Sequence, residues 1–492
     1  MGKVIKESLL TTFFSYIGVV IGYFNMLWLL PYALEPDQMG LFKTIQDMAL
    51  LLVSLAQLGL GNGITRYYPK IKDNQFAFFT MSLFLSFIGF LLITFLLFIF
   101  KSNIISAFAT NSPEVIDYLG VVLLITFFSV LNTILDSFCR SFMKIAVPSF
   151  FRDVFLRILI SILVGSYFME WISFQAMMWG LSTLYFITLF GMGIFMFRNG
   201  LLKLNFNWKS IPKAFKKEFL GFSLITLLGA TGALLISKID SLMVTSMIGL
   251  DANAIYSIGF AMAIVIEMPR RAISQVVMPI VAEKFALNQL DDIDALYKKV
   301  AINQLVLCLL IFLLIWANVD NFYYFVPNKN VYEAGKWVVL LIGLGKLSDV
   351  LFSINGEIII FSRFYIFNIT ATLLMSVTVI TLNFIFIPLY GIEGAALASL
   401  IAMFFFNLIK YLYVKIRLGF DPFTFDIAKI IFLGILVFTI NYYLIPKFNL
   451  VILDLIVRVG FLLTSYLFGI WLLKIAPESQ RIIMDKIGYF NK

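Results

Sequence analysis

FLGFSLITLLGATGALLISKIDSLMVTSMIGLDANAIYSIGFAMAIVIEMPRR, residues Phe219 to Arg271, is the stretch whose reading decides the fold. It contains two apolar runs, roughly Phe222 to Ile248 and Ala252 to Val276. At 1.5 Å per helical residue, each can cross a hydrocarbon core of about 30 Å. The same stretch carries Lys238, Asp240, Glu267, Arg270 and Arg271. An ionisable group at membrane depth costs at least about 2.5 kcal/mol on insertion scales, so its retention points to a water-filled or ligand-binding interior.

Composition agrees with that reading over the whole chain. Of 492 residues 61% are hydrophobic, 17% aromatic and only 13% charged, with a mean hydropathy of +0.97. A soluble domain is nearer half apolar, so a polytopic membrane protein is expected. The net charge of +9 is explained by basic loops on one side of the membrane rather than by nucleic acid. Histidine is absent, which removes the commonest general base and a frequent metal ligand. Cys139 and Cys308 sit singly in apolar runs, so neither a disulfide framework nor a metal site is expected, and no cofactor is called for.

Outward from the opening pair, apolar spans fall near 9–30, 39–61, 77–100, 118–138, 149–168 and 172–197 on one side, and near 301–318, 335–358, 364–388, 392–414, 427–445 and 450–473 on the other. That makes about fourteen transmembrane helices. The loops alternate in charge: Arg66, Lys70 and Lys72, then Arg140 and Lys144, the connector 198–218, Lys284, Lys298 and Lys299, Arg363, and Lys415 with Arg417 fall on one side. By the positive-inside rule that side is cytoplasmic, and both termini lie on it. Asp291 to Lys299 reads as a short charged surface helix, and Pro477 to Lys492 as a tail along the interface.

A weak internal repeat appears at a separation of about 220 residues. Phe142 and Lys144, a helix, then Ile172 and Phe174-Gln175-Ala176 correspond to Phe361 and Arg363, a helix, then Ile392 and Gly394-Ala395-Ala396. Six helices per unit return both copies to one orientation. The expected architecture is all-α: a six-helix bundle with its basic connector over 1–218, a second over 219–418, both around a central cavity, and two further helices with a cytoplasmic tail over 419–492.

Three motifs carry a resemblance to a known family. Leu34-Glu35-Pro36-Asp37-Gln38-Met39-Gly40 is one; Asp240-Ser241-Leu242-Met243 with Ala254-Ile255-Tyr256 and Pro279 is another. The most specific is Ile387-Pro388-Leu389-Tyr390-Gly391-Ile392-Glu393-Gly394-Ala395-Ala396. Together they resemble bacterial polysaccharide biosynthesis flippases, of the superfamily that includes multidrug and toxin extrusion transporters. The last run also has a plain structural explanation, a tight turn into a closely packed helix of small residues. The resemblance implies a flippase of the inner membrane that moves undecaprenyl-diphosphate-linked oligosaccharide units for O-antigen, capsule or exopolysaccharide, among membrane lipids and possible assembly partners, by way of a cationic cavity.

Membrane-depth charges bear on that cavity independently. Partners three or four residues apart share a helix face: Lys43 with Asp47, Asp136 with Arg140, Asp153 with Arg157, Glu267 with Arg270 or Arg271, Lys346 with Asp349, Asp454 with Arg458. Each such pair serves equally well to hold helices in register. Arg152, Lys238 and one of Arg270 and Arg271 have no partner on their own face, and Lys238 and Asp240, about 200° apart, cannot pair. A diphosphate losing its hydration needs fixed cations, and arginine can bind it through two parallel hydrogen bonds. The expected substrate site is therefore Lys238, Arg270 and Arg271, then Arg66, Arg140 and Arg152, with Lys43 and Lys346; Asp47, Asp240, Glu267 and Asp349 are pairing or coupling acids. Pro269 is a possible kink. Tyr16, Tyr23, Asn25, Gln46, Asn303, Gln304 and Asn355 are candidates to grip sugars.

Other functions fit the sequence less well. A lipid II flippase would share the helices and the basic cavity. A cation-coupled drug antiporter needs acids in the first bundle, where the first helix has only Glu7 at its mouth. A membrane glycosyltransferase or polymerase needs a sizeable extramembrane region, and the longest outside connection, 101–117, carries little beyond Lys101, Glu114 and Asp117. Enzyme activity is not expected.

Overall fold

The computed structural model describes residues 2–475, with side chains from Lys6 onward; the expected interfacial tail 477–492 lies outside the described residues. Eleven helices are long and apolar enough to cross a membrane: α1 Lys6–Ala33, α2 Pro36–Ala56, α3 Lys72–Ile99, α4 Leu119–Ser141, α6 Phe174–Arg198, α7 Lys213–Met247, α8 Leu250–Ala286, α9 Leu290–Ala317, the long segment Tyr365–Leu418, α13 Phe425–Leu444 and α14 Val451–Leu472. A twelfth, α10, is the pair Lys329–Leu351 and Asn355–Phe361, bent by 49°. Two more spans are set apart by charge or by continuity. The stretch 146–168, α5, is helical throughout but carries Arg152, Asp153 and Arg157. Tyr365–Leu418 is two helices, α11 (365–390) and α12 (392–418), meeting at Gly391, whose φ of 61° and ψ of −137° no side-chain-bearing residue adopts readily. The described residues thus hold fourteen helical spans, and exposed Phe95, Phe98 and Ile416 are the lipid-facing surface such a protein requires.

By contact density the chain divides into two compact units, Met1–Ser257 and Ile258–Lys492. Sequence placed a boundary at the connector ending at Glu218; packing groups α7 with α1–α6. In the first unit, the Leu34–Gly40 motif is a helix start. Glu35 and Gln38 form a reciprocal capping box ahead of α2, and Gly40 lets the Leu250 carbonyl approach where a Cβ would collide with it. Gly18 and Gly22 on α1 do the same for α5: a Cβ at Gly22 would lie 2.7 Å from Arg157 Nη1, and one at Gly18 would strike the Asp153 carbonyl. This is close packing of small residues four apart. Opposite them α5 opens into a π-helical turn, Phe150–Phe155, a local widening common at functional positions. Aromatic rings fill the core, with Phe79 and Phe138 centroids 4.5 Å apart and Phe78 and Phe219 4.9 Å apart.

In the second unit, the Pro388–Ala396 run behaves as its plain explanation says. Gly391 makes the turn, Gly394 sits where a Cβ would meet the Phe386 carbonyl, and Ala395, Ala396 and Ala398 are fully buried. α8 tightens into a 3₁₀ turn at Val265–Glu267; Pro269, lacking an N–H, cannot bond back to Val265 in the regular way. The expected surface helix at 291–299 is instead the first turns of the continuous helix α9, because no glycine or proline interrupts it there.

Candidate functional site

The first unit places two lysines on one carboxylate. Lys238 of α7 lies 2.7 Å from Asp47 Oδ1 of α2, and Lys43 lies 4.0 Å from the same oxygen. The Ser241 hydroxyl, 3.0 Å from Asp47 Oδ2 and 2.8 Å from Asn253 Oδ1, can donate to either. Asn253 Nδ2 donates to Thr44 Oγ1 at 2.9 Å, and Thr44 meets Thr245 at 2.8 Å. These bonds tie α2, α7 and the start of α8 together around a buried acid. Counted from Pro36, Asp47 lies about 17 Å along α2, near the middle of the hydrocarbon thickness. Asp240, on the far side of α7, accepts from the Tyr256 hydroxyl at 2.9 Å.

A second shared carboxylate lies toward the end of α4. Asp136 pairs with Arg140 on its own helix and with Arg152 of α5 at 3.2 Å, while Arg152 also meets Asp153 at 2.9 Å. Ser15 of α1 donates to Asp153 at 3.2 Å. Arg66 is exposed at the end of its short helix Leu60–Tyr67, with its guanidinium 4.2 Å from the Phe222 ring centroid, a cation–π contact.

The second unit repeats the device. Glu267 is shared by Arg271 at 3.0 Å and Lys346 of α10 at 2.8 Å. Arg270, next to Arg271 in the chain, meets Asp349 at 3.0 Å and Glu357 at 3.8 Å and donates to the Ser353 carbonyl at 3.2 Å. Lys410 of α12, only 5% exposed, has its ammonium 4.0 Å from the Phe406 ring centroid. Arg271 is the accessible member, its side chain 57% exposed against 11% for Arg270.

Several expectations are corrected here. Lys238, Arg152 and Arg270, which have no partner at three- or four-residue spacing on their own helices, are held by carboxylates of other helices. Spacing along one helix shows only partners on that helix, and Asp47, Asp136, Asp349 and Glu357 arrive from others. Arg157 does not pair with Asp153 but donates to the Gly18 carbonyl, which the two glycines bring within reach. Lys346 pairs with Glu267 rather than Asp349, which Arg270 takes. The pairs Asp136–Arg140, Glu267–Arg271 and Asp454–Arg458 form as expected, and Lys43–Asp47 forms loosely. Of the polar candidates, Asn25 is buried and donates to the Arg157 carbonyl. Gln304 and Asn355 are wholly buried, and Tyr16 is 66% exposed. Glu357, Lys410, Ser241 and Asn253 were missed as site residues, although a lone charge inside an apolar span was a signal for Glu357 and Lys410.

What remains, at Asp47 and at Glu267, is an arrangement in which one carboxylate neutralises only one of two cations. The Asp47 and Glu267 groups each keep a net positive charge while their members avoid the full cost of an isolated buried ion; the Asp136 group is balanced, because Arg152 also meets Asp153.

Comparison with known proteins defines the class first. The fold is that of polytopic transporters. It is similar to a lipid II flippase, MurJ, in an inward closed conformation, at 16% identity over 96% of this chain and 99% of that one with a TM-score of 0.72. It is also similar to an inward-facing multidrug resistance MATE family transporter of the MOP superfamily, at 15% identity over 82% and 94% with a TM-score of 0.62. A third neighbour is a mutant form of the Vibrio cholerae MATE transporter VcmN, at 12% identity over 86% and 100% with a TM-score of 0.52. A sequence search of curated proteins returns no match. The profile of the family described as polysaccharide biosynthesis protein matches residues 5–285, more than half of the chain, and the chain belongs to that family. It is a multi-pass membrane protein whose family and fold neighbours are transporters and flippases rather than enzymes.

Proposed function

We propose that the protein is a flippase of the bacterial inner membrane, with both termini cytoplasmic, that moves undecaprenyl-diphosphate-linked oligosaccharide units to the opposite leaflet for surface polysaccharide assembly. The observation that carries this reading is the carboxylate shared by two cations with positive charge left over, found at Asp47 and Glu267. A drug antiporter for cationic cargo would be opposed by that surplus; a diphosphate is drawn to it. Lys43 and Lys238 near mid-bilayer, and Arg271 with Lys346 in the second unit, are the groups assigned to the diphosphate, with Arg140, Arg152 and Arg66 toward the cytoplasmic mouth. Arg270, held by two acids, is assigned to positioning α8 and α10.

Lipid II is the second reading, supported by a likeness to MurJ that spans 96% of the chain. One experiment separates them: reconstitution into vesicles with a fluorescent diphosphate-linked oligosaccharide or with lipid II, scoring transfer between leaflets. Transfer of the first, lowered at least about tenfold by Lys43→Gln with Lys238→Gln, supports the proposal. Transfer of lipid II alone supports the second reading, and transfer unaffected by the double change overturns the site.

A further inference from the structure

We propose that the second unit holds a binding site for one anionic glycerophospholipid, its phosphate in a polar cup at the end of α9, α10, α13 and α14 and an acyl chain in the apolar groove that continues from it. The cup is a cavity of about 600 Å³ whose walls include Asp320, Lys336, Asn441, Lys447, Asp454 and Arg458. Its floor is a finished structure. Arg458, 7% exposed, donates to Asp454 at 2.9 Å, to the Asn441 carbonyl at 3.3 Å and to the Ile445 carbonyl at 3.3 Å. Asn321 Nδ2 adds a bond to Asp454 at 2.7 Å. With Arg458 and Asp454 cancelling, the rim decides the charge. Lys336 lies 2.6 Å from Asp320, and Lys447 only 3.7 Å from it with its side chain 77% exposed. Two ammoniums face one carboxylate, and a phosphate diester, with one negative charge, balances them.

Depth supports the same occupant. Tyr442 in the wall of the cup and Trp337, its ring 5.7 Å from that of Trp316, are each more than half exposed, as in the belt that marks head-group level. Trp316 and Phe438 line both the cup and a second cavity of about 480 Å³, whose other walls are almost entirely leucine, isoleucine and phenylalanine from α9, α10 and α13. Along α9 that groove runs from Trp316 to Leu305, about 16 Å at the helical rise, which is one leaflet's share of a core of about 30 Å. Gly434 keeps its wall thin, since a Cβ there would lie 2.7 Å from Leu309 Cδ2. A groove of leaflet depth ending at a net-positive cup at phosphate level suits a membrane lipid whose head does not cross.

The test uses the full-length protein, purified in mild detergent and offered phosphatidylglycerol or phosphatidylcholine in mixed micelles, with retained lipid counted by native mass spectrometry. The wild type is expected to keep one phosphatidylglycerol in preference to phosphatidylcholine. Lys336→Gln and Lys447→Gln should each lower that retention about fivefold, the factor a lysine near anionic head groups is worth. Lys329→Gln, on the same side but outside the cup, should change nothing. Leu344→Trp fills the groove from its open face and should reduce retention of both lipids, independently of the charge changes. Equal retention of the two lipids by the wild type, retention undiminished in the Lys336/Lys447 double variant, or capture of a polyprenyl diphosphate in place of phosphatidylglycerol would each overturn the proposal.

Discussion

Asp47→Asn removes the charge that two lysines share, and its cost can be worked from the geometry. At an effective dielectric constant of about 20, unit charges attract by about 6 kcal/mol at the 2.7 Å of Lys238 and about 4 kcal/mol at the 4.0 Å of Lys43. Against this stand the desolvation of the carboxylate, several kcal/mol, and screening at side chains that are 23% and 19% exposed. Removing one partner of a buried pair typically costs about 3–5 kcal/mol, and the partial exposure here favours about 3 kcal/mol. The cluster passes from a net charge of +1 to +2. Adding Lys238→Met restores +1 and should recover most of the loss, without restoring transfer of a diphosphate-linked cargo. Unfolding of the detergent-solubilised protein, followed by tryptophan fluorescence for the wild type and the single and double variants, measures the coupling. If D47N stays within about 1 kcal/mol of the wild type, or the double variant is no more stable than D47N, the shared-carboxylate account is wrong.

Gly18→Leu drives a side chain into the Asp153 backbone carbonyl, which cannot swing aside, and should cost about 1–3 kcal/mol in the same unfolding assay; Gly165→Ala, with no atom within 4 Å, should stay within about 0.5 kcal/mol. Gly391→Ala forces a Cβ onto a φ of 61° and ψ of −137°, and a loss of about 1–3 kcal/mol is expected, whereas Gly419→Asn at φ 77° and ψ 7° should be tolerated. In the loop between α12 and α13, partial burial pushes the Asp421 carboxyl up, but Lys415 at 2.7 Å and the Phe423 N–H hold it below the ordinary 3.8. Its contribution is therefore complete above pH 3.8 and fades as the pH falls through the lowered value. Protection of residues 419–424 against hydrogen exchange, taken relative to the intrinsic rate at each pH, should fall only in that acidic range, and Asp421→Asn should abolish that fall.

How much was legible follows from what spacing along one helix can report. Most of the spans were readable because each needs about twenty apolar residues whatever it packs against. The pairs Asp136–Arg140, Glu267–Arg271 and Asp454–Arg458 were readable because three- and four-residue spacing puts both ends on one face. Lys238 was misjudged for the same reason: its acid, Asp47, lies 191 positions away on α2, a helix that the Thr44–Thr245 and Ser241–Asp47 contacts join to α7. At Lys346 and Asp349 the partners are exchanged across helices: Glu267, in the 3₁₀ turn before Pro269, meets Lys346, and Arg270 meets Asp349.

Apolar runs, loop charge and three motifs, then, determined by themselves that this chain is a many-helix membrane protein resembling the polysaccharide biosynthesis family, since a bilayer constrains local composition before any two helices meet. The tertiary structure alone decided which acid answers which cation, and so where positive charge is left over. An electrostatic balance depends on distances across helices, and no periodicity within a single helix records them.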